Sequence, residues 1–441
     1  LLLQAPIGRF ALWLIAPEGD VTGPAWTYYQ VRVWAAPAAL TNFALVGWFI
    51  GMQNTRAPLY IMLVTNLTNI ALSVLFVIGL NFLRMGTTGL AAQARGANDA
   101  DGMRAVLAQA ILIALAMAGA VILLQVPIGH FAFWLIAPAP EVLEPAWTYY
   151  RVRVWAAPAA LANFALVGWF IGMQNTRAPL FIMLTTNLTN IALSVLLVIG
   201  LGYRAGGVAA ASVIAEFAGL GVAAWLARRE LASFAGRFRR EQVLDPERLR
   251  RIVSVNANLL VRTMSLMFVF GFITAQGARQ GTTILAANAI LLNFQYFMAY
   301  ALDGFAHAAE ALVGRAYGEQ NRAGLERAVR LSLIWSASVA GLFALAYLLA
   351  GRPLIGLLTS QPELIELTAA FLPWLIVSPL LSFWSFLFDG VFVGATWAGA
   401  MRNTMALSTF LVFVPVFYLT QAAGLGNHGL WLAFVVFMAA R

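Results

Sequence analysis

The 441-residue sequence contains no cysteine and no lysine, and only 10% of its residues are charged. The absence of cysteine excludes disulfides, thiolate metal sites and cysteine nucleophiles together. All 27 basic residues are therefore arginines, a bias attributable to genomic base composition, and they give a net charge of +9. Most of them lie in short loops between apolar runs, where the positive-inside rule places them, so the charge does not signal a nucleic-acid partner. The catalytic patterns H-E-x-x-H, G-x-S-x-G and the P-loop are also missing, and His307 is the only histidine with acids at helical spacing. No enzyme is indicated.

What the chain has in abundance is apolar length. Hydrophobic residues make up 61% of it and the mean hydropathy is +0.81. Its uninterrupted apolar runs reach the roughly 20 residues a helix needs to cross a bilayer core, and the short alternating strands of a membrane barrel are absent. The expected fold class is all-α: a polytopic membrane protein of about twelve transmembrane helices. No cleavable signal peptide is visible, and both ends of the sequence fall inside apolar runs, as truncation would leave them.

Residues 1–80 repeat residues 122–201 without gaps, with 66 of 80 positions identical. Identity that high, ending abruptly after Leu80, is the mark of a recent tandem duplication or of an assembly error. Beyond the copy, spans are expected at 105–136, 145–173, 178–201 and 206–227, then at 252–277, 283–313, 327–350, 364–394 and 403–424, with a partial one from 430. Between the two groups, Arg228 to Arg251 carries eight arginines against four acids and reads as a cytoplasmic linker. Asp245-Pro246-Glu247 at its end is an N-cap, a first-turn proline and a first-turn acid, so a helix starts there. The resulting domains are a duplicated segment 1–80, the rest of an N-terminal lobe at 81–227, the linker 228–251, and a C-terminal lobe at 252–441.

A fainter repeat relates the two groups. A shift of 222 residues lays Ala94, Gly96 and Gly102 on Ala316, Gly318 and Gly324, and also Gly168, Phe170 and Gly172 on Gly390, Phe392 and Gly394. One offset serving two separate helix ends implies parallel six-helix lobes around an axis along the membrane normal, the plan of transporters that bind substrate between halves near the midplane.

Charge inside the spans points to the site. Asp303, His307 and Glu310 fall at i, i+4 and i+7 in an otherwise apolar helix and so share one face. Such a face turns away from lipid, toward a bundle interior or a watery path. A purely structural reading, with the acids neutral or paired to pin helices together, stays open. His307 has an imidazole able to share protons with both acids. Arg262 is an intramembrane cation that calls for Asp389 or Asp303 as partner, or snorkels to the headgroups, and little other arginine is expected at depth. His130 and His428 read as interfacial, while Trp374 and Trp384 lie within a span and could stack on a planar cation.

FLRMGTTGLAAQARGA, GWFIGMQNTRAP, GVAAASVIAEF, YALDGFAHAAEALVGRAYG, FDGVFVGAT and GLGNHGLWLA together resemble the multidrug and toxic compound extrusion (MATE) transporters, in the branch of the DNA-damage-inducible protein F. The resemblance covers about residues 82–441. It implies twelve helices in two six-helix lobes, the bacterial inner membrane, and antiport of small organic cations or amphiphiles against protons or sodium ions by a monomer without a cofactor. It also implies an ion-coupling set of Asp303, Glu310 and Asp389 with His307, and a substrate cavity at Asn163, Met183, Asn190, Ser194 and Ser212. Ser194 stands where the family's N-x-x-x-D element has its aspartate, and the duplicated segment, with only Glu18 and Asp20 as acids, replaces the first helix and its aspartate. The rival reading is a flippase for lipids or lipid-linked precursors in the same superfamily. An anionic headgroup would want several arginines inside.

Overall fold

The computed structural model describes residues 82–136 and 140–441, and every regular element among them is helical. Nine helical stretches among them, some made of two consecutive helices, are long and apolar enough to cross a membrane. The expectation that residues 1–80 stand in for the first helices lies outside the described residues.

In chain order the helices are α1 (82–96), α2 (Ala100–Leu123), α3 (Gln125–Ile136), α4 (Pro140–Arg153), α5 (Ala157–Gly172), α6 (Arg177–Ser194), α7 (Arg204–Ala232), the short α8 (Arg240–Val243), α9 (Pro246–Arg279), α10 (Thr282–Gly318), α11 (Arg322–Leu358), α12 (Pro362–Ala370), α13 (Leu372–Gly394), α14 (Ala398–Leu407), α15 (Val414–Ala422) and α16 (Gly426–Ala440). The expected span 403–424 runs from α14 to α15 through a π-helical stretch at Ser408–Phe413, whereas three spans expected to be single are broken. The run 105–136 divides between α2 and α3, a 3₁₀ turn at Val154–Ala156 separates α4 from α5, and the run 364–394 divides between α12 and α13. Each break sits beside a proline, at Pro127, Pro158 and Pro373. The missing N–H leaves the carbonyls of Leu123, Val154 and Ala369 without their helical donor.

The chain forms two compact units. The first holds residues 111–170 and 175–233 among those described. Its α7 buries a stripe of small residues, among them Gly207, Ala211, Ala215, Gly219 and Ala223, which lets neighbouring backbones approach closely. An aromatic cluster of Phe133, Tyr149 and Tyr150, with Trp147 packed on it, closes one end. The second unit holds residues 81–110, 171–174 and 234–441. Its main core joins Val269 and Ile273 of α9, Leu291, Met298 and Leu302 of α10, Leu375 and Phe386 of α13, and Trp431, Phe434 and Phe437 of α16. The linker is tied onto this unit. Asp245 caps α9 through Glu247 N at 2.9 Å, Arg104 donates to the Phe234 carbonyl at 2.8 Å, and Asp101 accepts from Arg237 N and pairs with Arg239, both at 2.7 Å.

The 222-residue offset is written into the backbone. Among the described residues the only non-glycine positions with positive φ are Asn98 at 53°, Gln320 at 54°, Gln174 at 55° and Thr396 at 58°, two pairs at that spacing. Asp99 caps Gly102 N at 2.8 Å, as Asn321 caps Gly324 N at 2.9 Å. The ends of α1 and α10 meet reciprocally: a Cβ on Gly96 would strike the Arg315 carbonyl, and a Cβ on Gly318 would strike that of Gln93. Gln93 donates to Thr396 Oγ1 at 3.2 Å, and Arg315, its counterpart, donates to Gln174 Oε1 at 3.3 Å. Each partner does to the other what is done to it, the signature of a local twofold.

Candidate functional site

In the second unit the polar face of α10 is met by three other helices. Glu310 is buried and forms a forked pair with Arg84 of α1, Nη1 to Oε2 at 3.2 Å and Nη2 to Oε1 at 3.5 Å. Asp389 of α13 accepts from Arg262 of α9, and Arg441 Nη2 lies 3.8 Å from the same carboxylate while its guanidinium covers the Phe386 ring. Asp303 is part-buried and has no hydrogen-bond or ion-pair partner among the described residues, yet it sits in the fields of Asp389, Arg441, Arg262 and Arg84. Among the described residues three carboxylates thus share one neighbourhood with three guanidinium groups, which balance in formal charge. His307 stands on the same face one turn from each acid and is part-buried.

Close backbone approach makes this grouping possible. A Cβ on Gly390 would run into the Ala306 carbonyl, so glycine next to Asp389 lets α13 lie directly on α10 between Asp303 and Glu310. Leaving either ion of a buried pair alone costs about 3–5 kcal/mol, so Glu310 and Arg84 hold each other in place.

A second polar network lies inside the first unit. Asn163 of α5 is 6% exposed and donates through Nδ2 to the Glu216 carbonyl at 2.9 Å and to Glu216 Oε2 at 3.1 Å, while its Oδ1 has no partner among the described residues. Arg153 Nη2 lies 3.5 Å from Glu216 Oε1. One turn before Glu216 on α7, Ser212 accepts from Asn190 Nδ2 of α6 at 2.8 Å, and Tyr149 reaches both Arg153 and Ser212. Met183 and Ser194 lie on the same stripe of α6 as Asn190, Met183 exposed and Ser194 part-buried.

The structure therefore joins Arg262 to Asp389, gathers Asp303 and Glu310 around them, and connects Asn163, Asn190 and Ser212 through side chains that sequence reading did not single out. The missed residues include Arg84, Arg153, Glu216 and Arg441. The expectation that Arg262 is nearly alone at depth is corrected, since Arg84 and Arg153 also enter their bundles. Each could have been suspected as a charge within an apolar run, Arg84 inside FLRMGTTGL and Glu216 inside GVAAASVIAEF. Their partners lie 226 residues away for Arg84 and on another helix for Glu216, beyond the reach of spacing. Among the described residues no group of histidine and acidic side chains is arranged to hold a metal ion.

Comparison with known proteins agrees with this architecture. The MatE family model matches residues 2–75, 71–196 and 257–419, so most of each copy of the duplicated segment falls within matched ranges. The DNA damage-inducible protein F of Escherichia coli (strain K12) is 40% identical over 375 residues, 84% of this chain and 80% of its own length. A probable multidrug resistance protein NorM of Bradyrhizobium diazoefficiens is 24% identical over 387 residues, covering 82% of this chain and 79% of the relative. A solved multidrug resistance MATE family transporter of the MOP superfamily, in an outward-facing conformation, superposes with a TM-score of 0.80 at 19% identity, over 93% of this chain and 89% of that one, and so shares its fold. A membrane-spanning helical chain with intramembrane ion pairs, matched by the family model along most of its length, belongs to the MatE family of multidrug efflux transporters.

Proposed function

We propose that the protein is a proton- or sodium-coupled antiporter of the bacterial inner membrane, exporting cationic or amphipathic organic compounds by alternating access. Coupling resides at Asp303, Glu310 and Asp389, with His307 beside them and Arg262 as counter-charge, and Asn163, Met183, Asn190, Ser194 and Ser212 contribute to the substrate cavity. The single observation that carries the reading is the division of labour among the three acids: Glu310 and Asp389 are each held by an arginine, whereas Asp303 faces the same cluster with no partner among the described residues. An unpaired intramembrane carboxylate is the group free to take a proton or a cation.

Exchange follows if the coupling ion and the substrate favour opposite conformations, because a ligand shifts an equilibrium only by its differential affinity for the two states. Neutralising Asp303 with a proton or sodium ion leaves the cluster with three guanidinium groups against two carboxylates. That balance disfavours a bound organic cation and expels it. The flippase alternative gains no support, since Arg84, Arg153 and Arg262 are each matched by an acid instead of being left to hold an anionic headgroup.

The test is uptake of a fluorescent organic cation by reconstituted vesicles under an imposed pH gradient and, separately, a sodium gradient. Asp303→Asn and Asp389→Asn are each expected to abolish gradient-driven uptake. If both retain it while Asn190→Ala or Glu216→Gln removes it, coupling lies in the first unit instead.

A further inference from the structure

In the first unit, α3 and α4 enclose a recess of about 180 Å³ lined by Gln125, Val126, His130, Trp147, Tyr150 and Arg151. It lies at the end away from the linker, because α7 starts at Arg204 beside this aromatic cluster and runs 29 residues, about 40 Å, to Ala232 before the linker. A Cβ on Gly129 would strike the rings of Trp147 and Tyr150, so glycine there lets α3 lie on them, and Tyr150 Oη donates to the Gln125 carbonyl at 2.6 Å. The Arg151 guanidinium lies 5.5 Å from the centre of the Trp147 ring, and His130 meets the same indole edge-on at 4.9 Å. Among the described residues Arg151 has no ion pair and no hydrogen bond, and no acid lines the recess. A guanidinium laid on an aromatic ring is held through its face and keeps its in-plane N–H fork free.

The duplication supplies a second version of this segment, and 14 of the 80 paired positions differ. Three of the 14 fall among the six lining residues: Val126 is matched by Ala5, His130 by Arg9 and Arg151 by Gln30. Gln125, Trp147 and Tyr150 are unchanged, as Gln4, Trp26 and Tyr29. The two charge differences compensate. One version has arginine then glutamine, the other histidine then arginine, so each sequence carries one guanidinium among these six positions. Loop charge of the positive-inside kind belongs to the linker's face and gives no reason for an arginine at this end. In copies that otherwise barely differ, a charge that changes place but not number marks a requirement of the recess itself.

We propose that this recess binds the phosphate of an anionic phospholipid from the leaflet opposite the linker, with the Arg151 fork on the phosphate oxygens and His130 and Gln125 as neighbouring donors. Guanidinium forks match phosphate oxygens bidentately. The volume falls below the roughly 300–1,000 Å³ of pockets that enclose drug-sized ligands and suits a single polar headgroup. What flanks the recess favours a lipid over a soluble anion: Val126, Phe131 and Trp134 of α3 are exposed and form an apolar wall for acyl chains, and tryptophan and tyrosine sit at headgroup level in membrane proteins. The guanidinium repels an organic cation, so the recess is distinct in chemistry from a site for the exported compounds.

The test uses the full-length chain in neutral detergent with photoreactive phosphatidylglycerol or phosphatidylcholine, each carrying a diazirine in its acyl chain, and mass spectrometry of the labelled peptides. The residues that differ between the copies identify peptides from 125–151. Phosphatidylglycerol is expected to label them at least several-fold more than phosphatidylcholine. Arg151→Gln should reduce that preference several-fold. Adding His130→Arg to it writes the first copy's pair into the second and should restore most of the preference. Arg204→Gln, an exposed basic change at the start of α7, controls for bulk charge, and thermal unfolding checks that the variants stay folded. Equal labelling by the two lipids, a loss in Arg204→Gln as large as in Arg151→Gln, or no recovery in the swapped pair would overturn the proposal. Displacement of the label by millimolar inorganic phosphate would overturn it in favour of a soluble anion.

Discussion

At the scale of single residues, the charges gathered on α10 divide into those that pair with one another and Asp303, which has no partner among the described residues. Glu310→Gln leaves the Arg84 guanidinium buried beside a neutral amide, and the expected cost is about 3–5 kcal/mol. A thermal melt of the detergent-solubilised protein should show it as a clear loss of stability. Replacing both partners with Met should restore most of what the single change removes, because an apolar pair of similar bulk needs no counter-charge. Asp303→Asn should leave the melt almost unchanged while stopping transport, since no described residue is paired with it. If Asp303→Asn melts as early as Glu310→Gln, Asp303 is a structural acid. The acids of this site were legible in the sequence because a carboxylate in an apolar helix is conspicuous. Arg84 was not, because an arginine close to the boundary of an apolar run reads equally well as a snorkelling headgroup contact, and only the fold brings α1 against α10.

At the scale of elements, helix starts were easier to read than helix interruptions. Asp245 caps α9 as its sequence implies, since capping is chemistry between residues two or three apart. Asp245→Ala should cost about 1 kcal/mol, seen as a small drop in melting temperature, with earlier protease cleavage between 233 and 246. The breaks near Pro127, Pro158 and Pro373 were read through because hydropathy averages over a window and is blind to one missing N–H. Helix contacts were legible only where the same small residue recurred at the repeat offset. Gly390 recurs in that way with Gly168, but what it packs against needed the structure: Gly390→Leu should push α13 off α10, part Asp389 from the face bearing Asp303 and Glu310, and destabilise the unit more than Asp245→Ala does. A melt equal to that of the parent protein would refute this close approach.

At the scale of the whole molecule, the absence of cysteine becomes experimentally useful, because two introduced thiols can find only each other. Ala92 and Gly314 are counterparts at the 222-residue offset and face one another across the junction of α1 and α10. Their Cβ positions are nearer than the roughly 3.5–4.5 Å a disulfide prefers, so the helices need to part by about 1 Å to accept the bond. Oxidising an Ala92→Cys/Gly314→Cys pair should form that bond and arrest transport, and reduction should restore it. Full cross-linking with undiminished uptake would mean that this junction stays shut throughout the cycle.

The reciprocity of that junction also bears on how the molecule arose. A contact in which residue i touches j while the counterpart of i touches the counterpart of j is isologous, the geometry of a twofold homodimer. Here both surfaces belong to one chain. An ancestral half-length protein pairing with itself would have met its twin through one surface used twice, so each substitution there changed both sides at once. Fusion removed that constraint: once Gln93 and Arg315 were separate codons, one could gain a charge while the other kept an amide. A subunit interface bound to symmetry became an internal junction whose two faces can be tuned apart.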